Sequence, residues 1–494
     1  MLRPTSIAIA FLTALCLALP CRAENPKREF RGAWLHTVNQ NHFAQRSAAG
    51  NMEYLRAQLD AMQRVGVNAV IFQVRPTADA FYESPIEPWS AYLTGQVGTP
   101  PAEFWDPLEF MVDECHLRGM ELHAWLNPYR SVKVGEKIPD NHHTKTYPAR
   151  YITFDGRKYF DPGQPENRQL INDIVRDIVA RYDIDAIHMD DYFYPYPVKG
   201  VRFNDDASYK KYGAGMKLAD WRRHNVDLLI QEVSATIRDV KPWVRFGISP
   251  FGIWRNASSD PEGSATRGLQ NYDDLYADVI MWAREGWIDY QAPQLYWDMD
   301  HRVAPSRILA PWWSNHAYGR HVYIGQDVER TMNSGELDQK MALSRKLENI
   351  QGNVWWPSVS LTANFKGVAD SLAANAQSNV ALTPRYDWLD PLRGAVRVAP
   401  PEIALHNGTL YWDFDESQFD ESCSMPAGVV IYCSSKEPKK LGDEEDGEIV
   451  AVVRGAETSW KIDPSRVQKS AFVYVRAIDM LNRESTKSRH IKVK

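Results

Sequence analysis

Between residue 30 and about residue 376, the hydrophobic and polar positions alternate between the pattern of a strand and the pattern of a helix. Short runs rich in β-branched and aromatic residues, typical of strands, are each followed by a segment with the 3.6-residue periodicity of an amphipathic helix. The predicted strands are Phe30–His36, Ala69–Arg75, Glu121–Asn127, Asp185–Asp191, Val244–Phe251, Tyr290–Trp297, His321–Asp327 and Asn353–Ser360. The clearest helical segments are Met52–Val65, Pro107–Leu117, Pro165–Tyr182, Ala219–Val240 and Tyr272–Glu285. Eight strand–helix pairs in about 350 residues predict an α/β fold in which parallel strands close into a (β/α)8 TIM barrel.

The pattern changes after Leu382, where prolines bracket a connector and the following runs are short, alternating and separated by turn residues. These runs predict a small all-β sandwich; they are Ile403–Phe414, Ala427–Ser434, Gly447–Arg454, Thr458–Ile462 and Ala471–Ile478. We therefore expect a barrel over residues 24–382, a linker over 383–400 and an immunoglobulin-like sandwich over 401–494. Residues 472–485 resemble the last strand and turn of fibronectin type III modules.

The first 23 residues have the three parts of a secretory signal: a basic start, an apolar stretch over residues 7–19 and small residues before the predicted cleavage point. The apolar stretch is too short to span a bilayer, and no later stretch approaches the roughly 20 apolar residues of a membrane helix. We expect a secreted protein, periplasmic or extracellular, without a membrane span. A lipid anchor on Cys16 or Cys21 is the competing interpretation, although neither cysteine follows the small residue expected at a lipidation site.

Cysteine usage and charge exclude several classes of site. Beyond the signal only Cys115, Cys423 and Cys433 remain, which is too few for a disulfide scaffold or a cysteine-based zinc cluster. Cys423 and Cys433 could bridge a hairpin, while Cys115 falls in a helical pattern as a buried thiol. The net charge of −6 becomes −8 without the signal, with 55 basic against 63 acidic residues, which argues against a nucleic-acid partner. The sequence contains no phosphate-binding glycine loop or Gly-x-Ser-x-Gly elbow, and we expect no cofactor.

The carboxyl ends of the predicted strands are polar or aromatic, which is the end where enzymes with this fold carry their chemistry. Side chains alternate between the two faces of a strand, so the apolar positions facing the helices identify the inward set. That set contains Trp34, His36, Gln73, Arg75, His123, Trp125, Asn127, His188, Asp190, Ser249, Gln294, Tyr296, Asp298, Asp327 and either Trp355 or Trp356. A barrel filled only for stability would present valine, isoleucine and leucine there. The sequence therefore predicts an active site at this end.

Two carboxyl groups on opposite sides of a glycosidic bond would make this site a glycosidase. Asp190 points inward from the fourth strand, and its neighbour Asp191 points to the other face if the strand continues. A partner from another strand end is therefore needed, and the candidates are Asp161, Asp298, Asp327 and Glu329. We expect Asp298 to be that partner, because it shares the inward register of the sixth strand. Asp191 remains the alternative if the strand ends early enough for its side chain to turn inward.

Long loops rich in aromatic rings follow several strands and predict platforms for sugar faces. The predicted substrate contacts are His36, Gln73, Arg75, Asn127, Tyr129, Arg130, Asp161, His188, Tyr192, Tyr194, Trp254, Arg255, Gln294, Tyr296, Trp297 and Trp356. Asp161 is expected to tie a turn and cap the helix after it. Arg75 and Arg130 suggest an anionic sugar substituent, such as the lactyl carboxylate of N-acetylmuramic acid. The equally open alternative is that both arginines orient the catalytic acids.

Two other classes of protein compete with a glycosidase. A metal-dependent amidohydrolase-type barrel could gather His36, His123 and His188 with Asp190, although no His-x-His pair closes the first strand. We therefore expect no metal. A secreted, non-catalytic protein that binds glycans through the same rings is the other alternative.

Six short motifs in order resemble the glycosyl-hydrolase-like family 10 barrels over residues 29 to about 365. They are Phe30–Trp34, Phe72–Pro76, His123–Arg130, His188–Pro195, Ile248–Arg255 and Gln294–Trp297. The resemblance implies a periplasmic or extracellular glycosidase, with bacterial relatives that cut peptidoglycan glycan strands lacking stem peptides. It also implies that Asp190 or Asp191 is essential. The chain lacks the glutamates that many retaining barrel glycosidases carry after strands four and seven, so the resemblance leaves the acid and the nucleophile unassigned.

Overall fold

The computed structural model describes residues 25–390, 398–415, 425–438 and 447–494. The predicted signal, residues 391–397 of the predicted linker and Cys423 of the possible disulfide lie outside the described residues. In the part of the chain that is described, no helix combines the length and the apolar character needed to cross a membrane.

Eight parallel strands form a closed barrel, as the sequence predicts. They are β1 (Phe30–Leu35), β2 (Ala69–Arg75), β3 (Glu121–Leu126), β4 (Ala186–Met189), β5 (Arg245–Ile248), β6 (Tyr290–Gln291), β7 (His321–Asp327) and β8 (Ile350–Trp356). Each strand pairs with its neighbours in chain order, and β1 closes the barrel against β8. Three short antiparallel strands, Arg130–Lys133, Tyr151–Phe154 and Arg157–Phe160, form a separate sheet in the loop after β3.

Helices connect the barrel strands. The α-helices are Ala48–Val65, Ala91–Thr94, Pro107–Leu117, His143–Thr146, Pro165–Arg181, Asp206–Tyr212, Leu218–Val240, Asn271–Asp274, Val279–Arg284, Ser306–Asn315, Val328–Ser334, Leu337–Lys346, Ser358–Thr362 and Val368–Ala374, with short 3-10 turns at Pro148–Arg150, Phe365–Gly367 and Asp387–Leu389. Their ends follow sequence signals: Asp106 accepts from the backbone N–H groups of Leu108 and Glu109, and Gly66 ends the first helix in the left-handed region. The predicted helix Tyr272–Glu285 is wrong in one respect, because it divides in two around Tyr276, whose φ is 55°.

The interior of the barrel is packed with aromatic rings beneath the carboxyl ends of the strands. Phe30 stacks on Tyr323 with ring centroids 3.9 Å apart, and Tyr290 packs beside both rings. A Cβ atom at Gly247 would lie 1.9 Å from the Tyr290 ring, so only glycine leaves room for that ring. The barrel is therefore filled in its middle, and a ligand can enter only at its end.

The C-terminal region is all-β, with two antiparallel sheets among its described residues. One sheet contains β9 (Glu402–His406), β10 (Thr409–Asp413) and β13 (Ser459–Lys461); the other contains β11 (Pro426–Ser434), β12 (Glu448–Arg454), β14 (Phe472–Asp479) and β15 (Ile491–Lys492). The run predicted as one strand over residues 403–414 is instead a hairpin. Asn407 and Gly408 turn it with φ values of 49° and 75°, and an Asn-Gly pair is the residue pair that a tight hairpin favours.

This all-β region packs against the end of the barrel where the strands begin. Arg454 of β12 lies 3.3 Å from Glu121, the first residue of β3, and 3.5 Å from Asp185. Asn482 donates to Glu121 at 2.8 Å, and Arg245 of β5 lies 2.6 Å from the other Glu121 oxygen. The region therefore closes the barrel at the end opposite to Asp190.

Candidate active site

Two adjacent carboxyl groups lie at the carboxyl end of β4. The strand ends at Met189, so the alternation of faces that applies within a strand no longer constrains Asp190 and Asp191. Asp190 Oδ2 accepts a hydrogen bond from Asn127 Nδ2 at 2.6 Å, and Oδ1 accepts one from the Tyr192 backbone at 3.3 Å. Asp191 accepts a short hydrogen bond from the Tyr196 hydroxyl. The condition for the alternative in which Asp191 turns toward Asp190 is therefore met, and both acids are buried.

The two carboxyl groups perturb each other. Burial raises the pKa of Asp190, while the Arg130 cation and the hydrogen bonds from Tyr192 and Asn127 act to lower it. Burial and then the neighbouring charge of Asp190 raise the pKa of Asp191 to about 7, against hydrogen bonds that lower it. Two interacting acids titrate as a pair, and the negative charge on the first to ionise holds the proton on the second to higher pH. Near neutral pH the pair can therefore hold one proton and one negative charge.

Partly exposed aromatic rings form one wall beside these acids. Tyr192 packs edge-on against Tyr196 with centroids 5.4 Å apart, Tyr196 lies 6.0 Å from Phe251, and Phe251 lies 5.3 Å from Trp297. All four rings are partly exposed. A continuous strip of rings of this kind offers the apolar faces of sugar rings a surface to stack on.

A second group of rings comes from the ends of β1, β3 and β8. Trp356 lies 4.7 Å from His36 and 6.3 Å from Trp125, measured between ring centroids. Trp34 packs edge-on against Tyr296 at 6.4 Å. Burial, and then the nearby negative charge of Asp191, holds the pKa of the Tyr296 hydroxyl far above its ordinary value. Tyr296 is therefore a hydrogen-bond donor beside the acid pair.

Several predicted substrate contacts are inside the protein instead. Arg75 is fully buried in an ion pair with Glu87 at 2.6 Å, and His188 is fully buried between Trp34 and Tyr290. Tyr129 and Tyr194 have at most 1% of their surface exposed. Direct contact with a glycan is not available to these four side chains, which corrects that expectation. Gln73 and Asn127 are also fully buried, and both lie in the hydrogen-bond network that reaches Asp190.

Three further predicted contacts have structural partners. The indole N–H of Trp254 donates to Asp278 at 3.2 Å, and Arg255 pairs with Asp260 at 2.6 Å and Asp273 at 2.8 Å. Asp161 accepts from the backbone N–H of Gly163 at 2.9 Å and so ties the turn as expected. It does not cap the helix that follows, whose N-cap residue is Gln164.

Of the predicted partner acids on other strand ends, Asp327 and Glu329 have structural partners, whereas Asp298 lies in the loop after β6. Asp327 caps the helix Val328–Ser334 by accepting from the Arg330 N–H at 2.8 Å, and Glu329 accepts from Ser360 at 2.8 Å. Asp298 is half-buried in the loop after β6, where its charge acts on Lys340 and its backbone carbonyl accepts from His301 and Ser306. The acid that shares its titration with Asp190 is Asp191.

The histidines of the alternative metal site do not converge. His123 bonds Glu121 at 3.0 Å and the Tyr290 hydroxyl at 2.8 Å, deep in the barrel, whereas His36 contacts Gln40 at the mouth. Among the described residues, no group of three or more histidine, cysteine, aspartate or glutamate side chains is arranged to hold a metal ion.

Sequence reasoning left Tyr196 and Phe251 out of the predicted site. Tyr196 lies five residues after Asp191 in the same aromatic loop, and Phe251 ends the predicted fifth strand, so both lie in segments that the sequence analysis assigns to this end of the barrel. The sequence pattern could not assign either residue to the site. Tyr196 contacts Asp191 through a loop of irregular shape, and Phe251 contacts Trp297, which is distant along the chain.

The sequence matches the family described as Glycosyl hydrolase-like 10 over residues 29–342, which is more than half of the chain. The chain belongs to this family. Glycosyl hydrolase YngK of Bacillus subtilis (strain 168) is 43% identical over 383 residues, which cover 74% of this chain and 74% of that protein. Glycosyl hydrolase DigH of Escherichia coli (strain K12) is 41% identical over 318 residues, which cover 60% of this chain and 72% of that protein.

A solved structure of the PgaB (BpsB) glycoside hydrolase domain from Bordetella bronchiseptica aligns over 71% of this chain and 99% of that domain, with a TM-score of 0.46 and 13% identity. The expectation of a glycoside hydrolase is confirmed by the family and by the relatives named above. The catalytic residues and the glycan stay predictions.

Proposed function

We propose that this protein hydrolyses glycosidic bonds with Asp191 as the proton donor and Asp190 as the charged partner. The observation that carries the proposal is the coupled pair itself: Asp191 has a pKa of about 7, and Asp190 accepts hydrogen bonds from Asn127 and Tyr192. A proton donor needs a pKa near the working pH, and a carboxylate that stabilises positive charge on the sugar must stay ionised. The ring wall beside the pair supports binding of a sugar chain.

For the substrate, we propose peptidoglycan glycan strands that lack stem peptides. The support is Arg130, which is partly exposed, lies over the Tyr192 ring at 5.0 Å and donates through Nε to the Pro76 carbonyl at 3.2 Å. Arg130 is not in any of the ion pairs found among the described residues, whereas Arg75 is locked to Glu87. We propose that the two roles divide, with Arg75 orienting the site and Arg130 meeting an anion such as the lactyl carboxylate.

We propose that the chain is exported to the periplasm or the cell exterior, in keeping with the signal expected over residues 1–23. A lipid anchor stays the alternative. The C-terminal region, with its two antiparallel sheets, is proposed to be fibronectin type III-like. Its ion pairs with the barrel make it a fixed part of the enzyme in this proposal.

The test of the reaction is release of reducing ends from peptide-free glycan strands. We expect activity from the wild type and a loss of at least about a hundredfold, the lower range for a general acid or base, in Asp190→Asn and Asp191→Asn. Asp298→Asn is the matched control, because it removes one carboxyl from the loop after β6, at the same end of the barrel. Full activity of both pair variants would overturn the assignment, and glycan binding without cleavage by the wild type would favour the non-catalytic alternative.

The test of the substrate compares peptide-free glycan with neutral chitin oligomers. Arg130→Gln should raise the KM for peptide-free glycan about tenfold more than the KM for chitin oligomers, because a charge-assisted contact of about 1.5 kcal/mol is lost only with the anion, whereas the effect of Arg130 on Asp190 is common to both substrates. Equal losses on both substrates would contradict recognition of the anion.

A further inference from the structure

A chain of amide hydrogen bonds runs from the end of β1 to Asp190. The backbone N–H groups of Thr37 and Val38 donate to Gln73 Oε1 at 3.0 and 2.9 Å. Gln73 Nε2 donates to Asn127 Oδ1 at 2.6 Å, and Asn127 Nδ2 donates to Asp190 Oδ2 at 2.6 Å. Gln73 and Asn127 have no exposed surface, so water does not compete for these bonds.

The direction of this chain is fixed where it begins. A backbone N–H can only donate, so Gln73 must turn its amide oxygen toward β1 and its amide nitrogen toward Asn127. Asn127 must then turn its own oxygen toward Gln73 and its nitrogen toward Asp190. The carboxyl group at the end of the chain therefore always meets a donor, and hydrogen bonds donated to a carboxylate favour its ionised form.

A buried ion pair holds the middle of the chain in place. Arg75 donates through Nη1 to the backbone carbonyls of Asn127 at 2.5 Å and Pro128 at 3.0 Å. Its other nitrogens bind both carboxylate oxygens of Glu87 at 2.6 and 2.7 Å. Because both partners are fully buried, this clamp fixes the backbone from which the Asn127 side chain reaches Asp190.

Six charged, titratable or hydrogen-bonding groups face Asp190 and bear on whether its carboxyl is ionised. They are Arg130, Asp191, Trp125, Tyr192, Tyr196 and Tyr296. Arg130 favours the ionised carboxylate and the charge of Asp191 opposes it. Asn127 and the Tyr192 N–H act on Asp190 in the same direction as Arg130, while Tyr196 donates to Asp191, so the Asn127 bond contributes to which acid is charged.

We propose that Gln73 and Asn127 are positioning residues that keep Asp190 as the charged member of the acid pair and leave the shared proton on Asp191. This inference rests on the proposed function, because only a glycosidase that uses the pair needs the two roles kept apart. The residues act through Asp190 and touch no substrate, since both are buried.

The decisive variant is Gln73→Glu. When ionised, the new carboxylate faces Asn127 with an oxygen in place of the amide nitrogen, which favours turning the Asn127 nitrogen toward position 73 and its oxygen toward Asp190. Asp190 then needs a proton to make that bond. We expect the acid limb of the kcat/KM profile on peptide-free glycan to move up by at least one pH unit, which is a tenfold loss on that limb.

Gln73→Met is the second variant, because it removes both the donor and the acceptor without adding a charge. It should move the acid limb in the same direction by less. The matched control is Gln326→Glu, which adds a carboxyl to an equally buried Gln–Asn pair on the other side of the barrel, where Gln326 donates to Asn353 at 3.1 Å. That control should leave the acid limb unmoved. An acid limb unchanged in both Gln73 variants, or moved equally in the control, would overturn the proposal.

A measurement that does not need activity separates this proposal from the proposed function. The free energy of unfolding is compared over pH 3 to 8 with and without Asp190→Asn, in the wild-type and Gln73→Glu backgrounds. The pH at which the two curves diverge should be higher in the Gln73→Glu background. If the wild type cleaves no glycan, the proposed function fails while this comparison still supports or overturns the positioning role.

Discussion

Asp191 should cost the folded protein stability at neutral and alkaline pH, and Asp191→Asn should remove that cost. The side chain is buried beside Asp190, and both effects raise its pKa from the ordinary 3.8 to about 7. An asparagine has nearly the same shape, accepts the Tyr196 hydrogen bond and carries no charge. The prediction is that Asp191→Asn is more stable than the wild type at pH 8, although it is inactive.

The sign of the effect follows from proton linkage. Between pH 3.8 and about 7 the folded state holds a proton on Asp191 that the unfolded state has released, so wild-type stability falls as the pH rises through this window. At about 1.4 kcal/mol per pKa unit over about three units, the loss reaches at most about 4 kcal/mol. Because Asp190 takes part in the same titration, the measured loss is expected to be smaller.

Urea unfolding followed by tryptophan fluorescence at pH 4 and pH 8 measures this prediction. The difference in unfolding free energy between Asp191→Asn and the wild type should grow in favour of the variant from pH 4 to pH 8. Asp298→Asn controls for the change in net charge at the same end of the barrel. A growth of less than about 1 kcal/mol, which corresponds to under one pKa unit, would refute the reasoning.

Three further predictions follow from individual contacts. Tyr196→Phe removes a hydrogen bond that lowers the pKa of Asp191. The alkaline limb of the kcat/KM profile, expected near pH 7, should therefore move to higher pH when kcat/KM is measured between pH 5 and 9. A limb that stays in place or moves to lower pH contradicts this. Arg454→Met should lower the free energy of unfolding in urea by about 3–5 kcal/mol, because it breaks a buried ion-pair network. The control Arg466→Met, at a more exposed ion pair, should lower it by under about 1 kcal/mol. Equal losses would argue against a fixed contact between the all-β region and the barrel. Gly247→Ala should cost at least about 1–3 kcal/mol and lower the melting temperature, because its Cβ would overlap the Tyr290 ring, and an unchanged melting temperature would contradict that packing.

The candidate second acid of the site shows what the alternation of strand faces leaves open. The alternation rule placed Asp191 on the outer face because the predicted strand ran through Asp191, whereas β4 ends at Met189. The strand ends two residues earlier than predicted, which favours the alternative in which Asp191 lies with Asp190. Strand ends are set by where hydrogen bonding to the adjacent strands stops, and β4 pairs with β3 and β5 only from Ala186 to Met189. A single sequence does not contain that information.

The periodicity of the chain by itself determined the barrel, the separate all-β region and the end of the barrel where the candidate site lies. These follow from local patterns, since the periodicities of strands and helices relate residues that are only two to four positions apart. The tertiary structure alone decided which polar residues at that end are available to a ligand. Arg75 and Arg130 look alike in sequence, but Arg75 is buried in an ion pair with Glu87, 12 residues further along the chain. In the same way, Asn127 donates to Asp190, which is 63 residues away in sequence. Such pairings depend on long-range packing that removes water from some side chains and leaves others in contact with it.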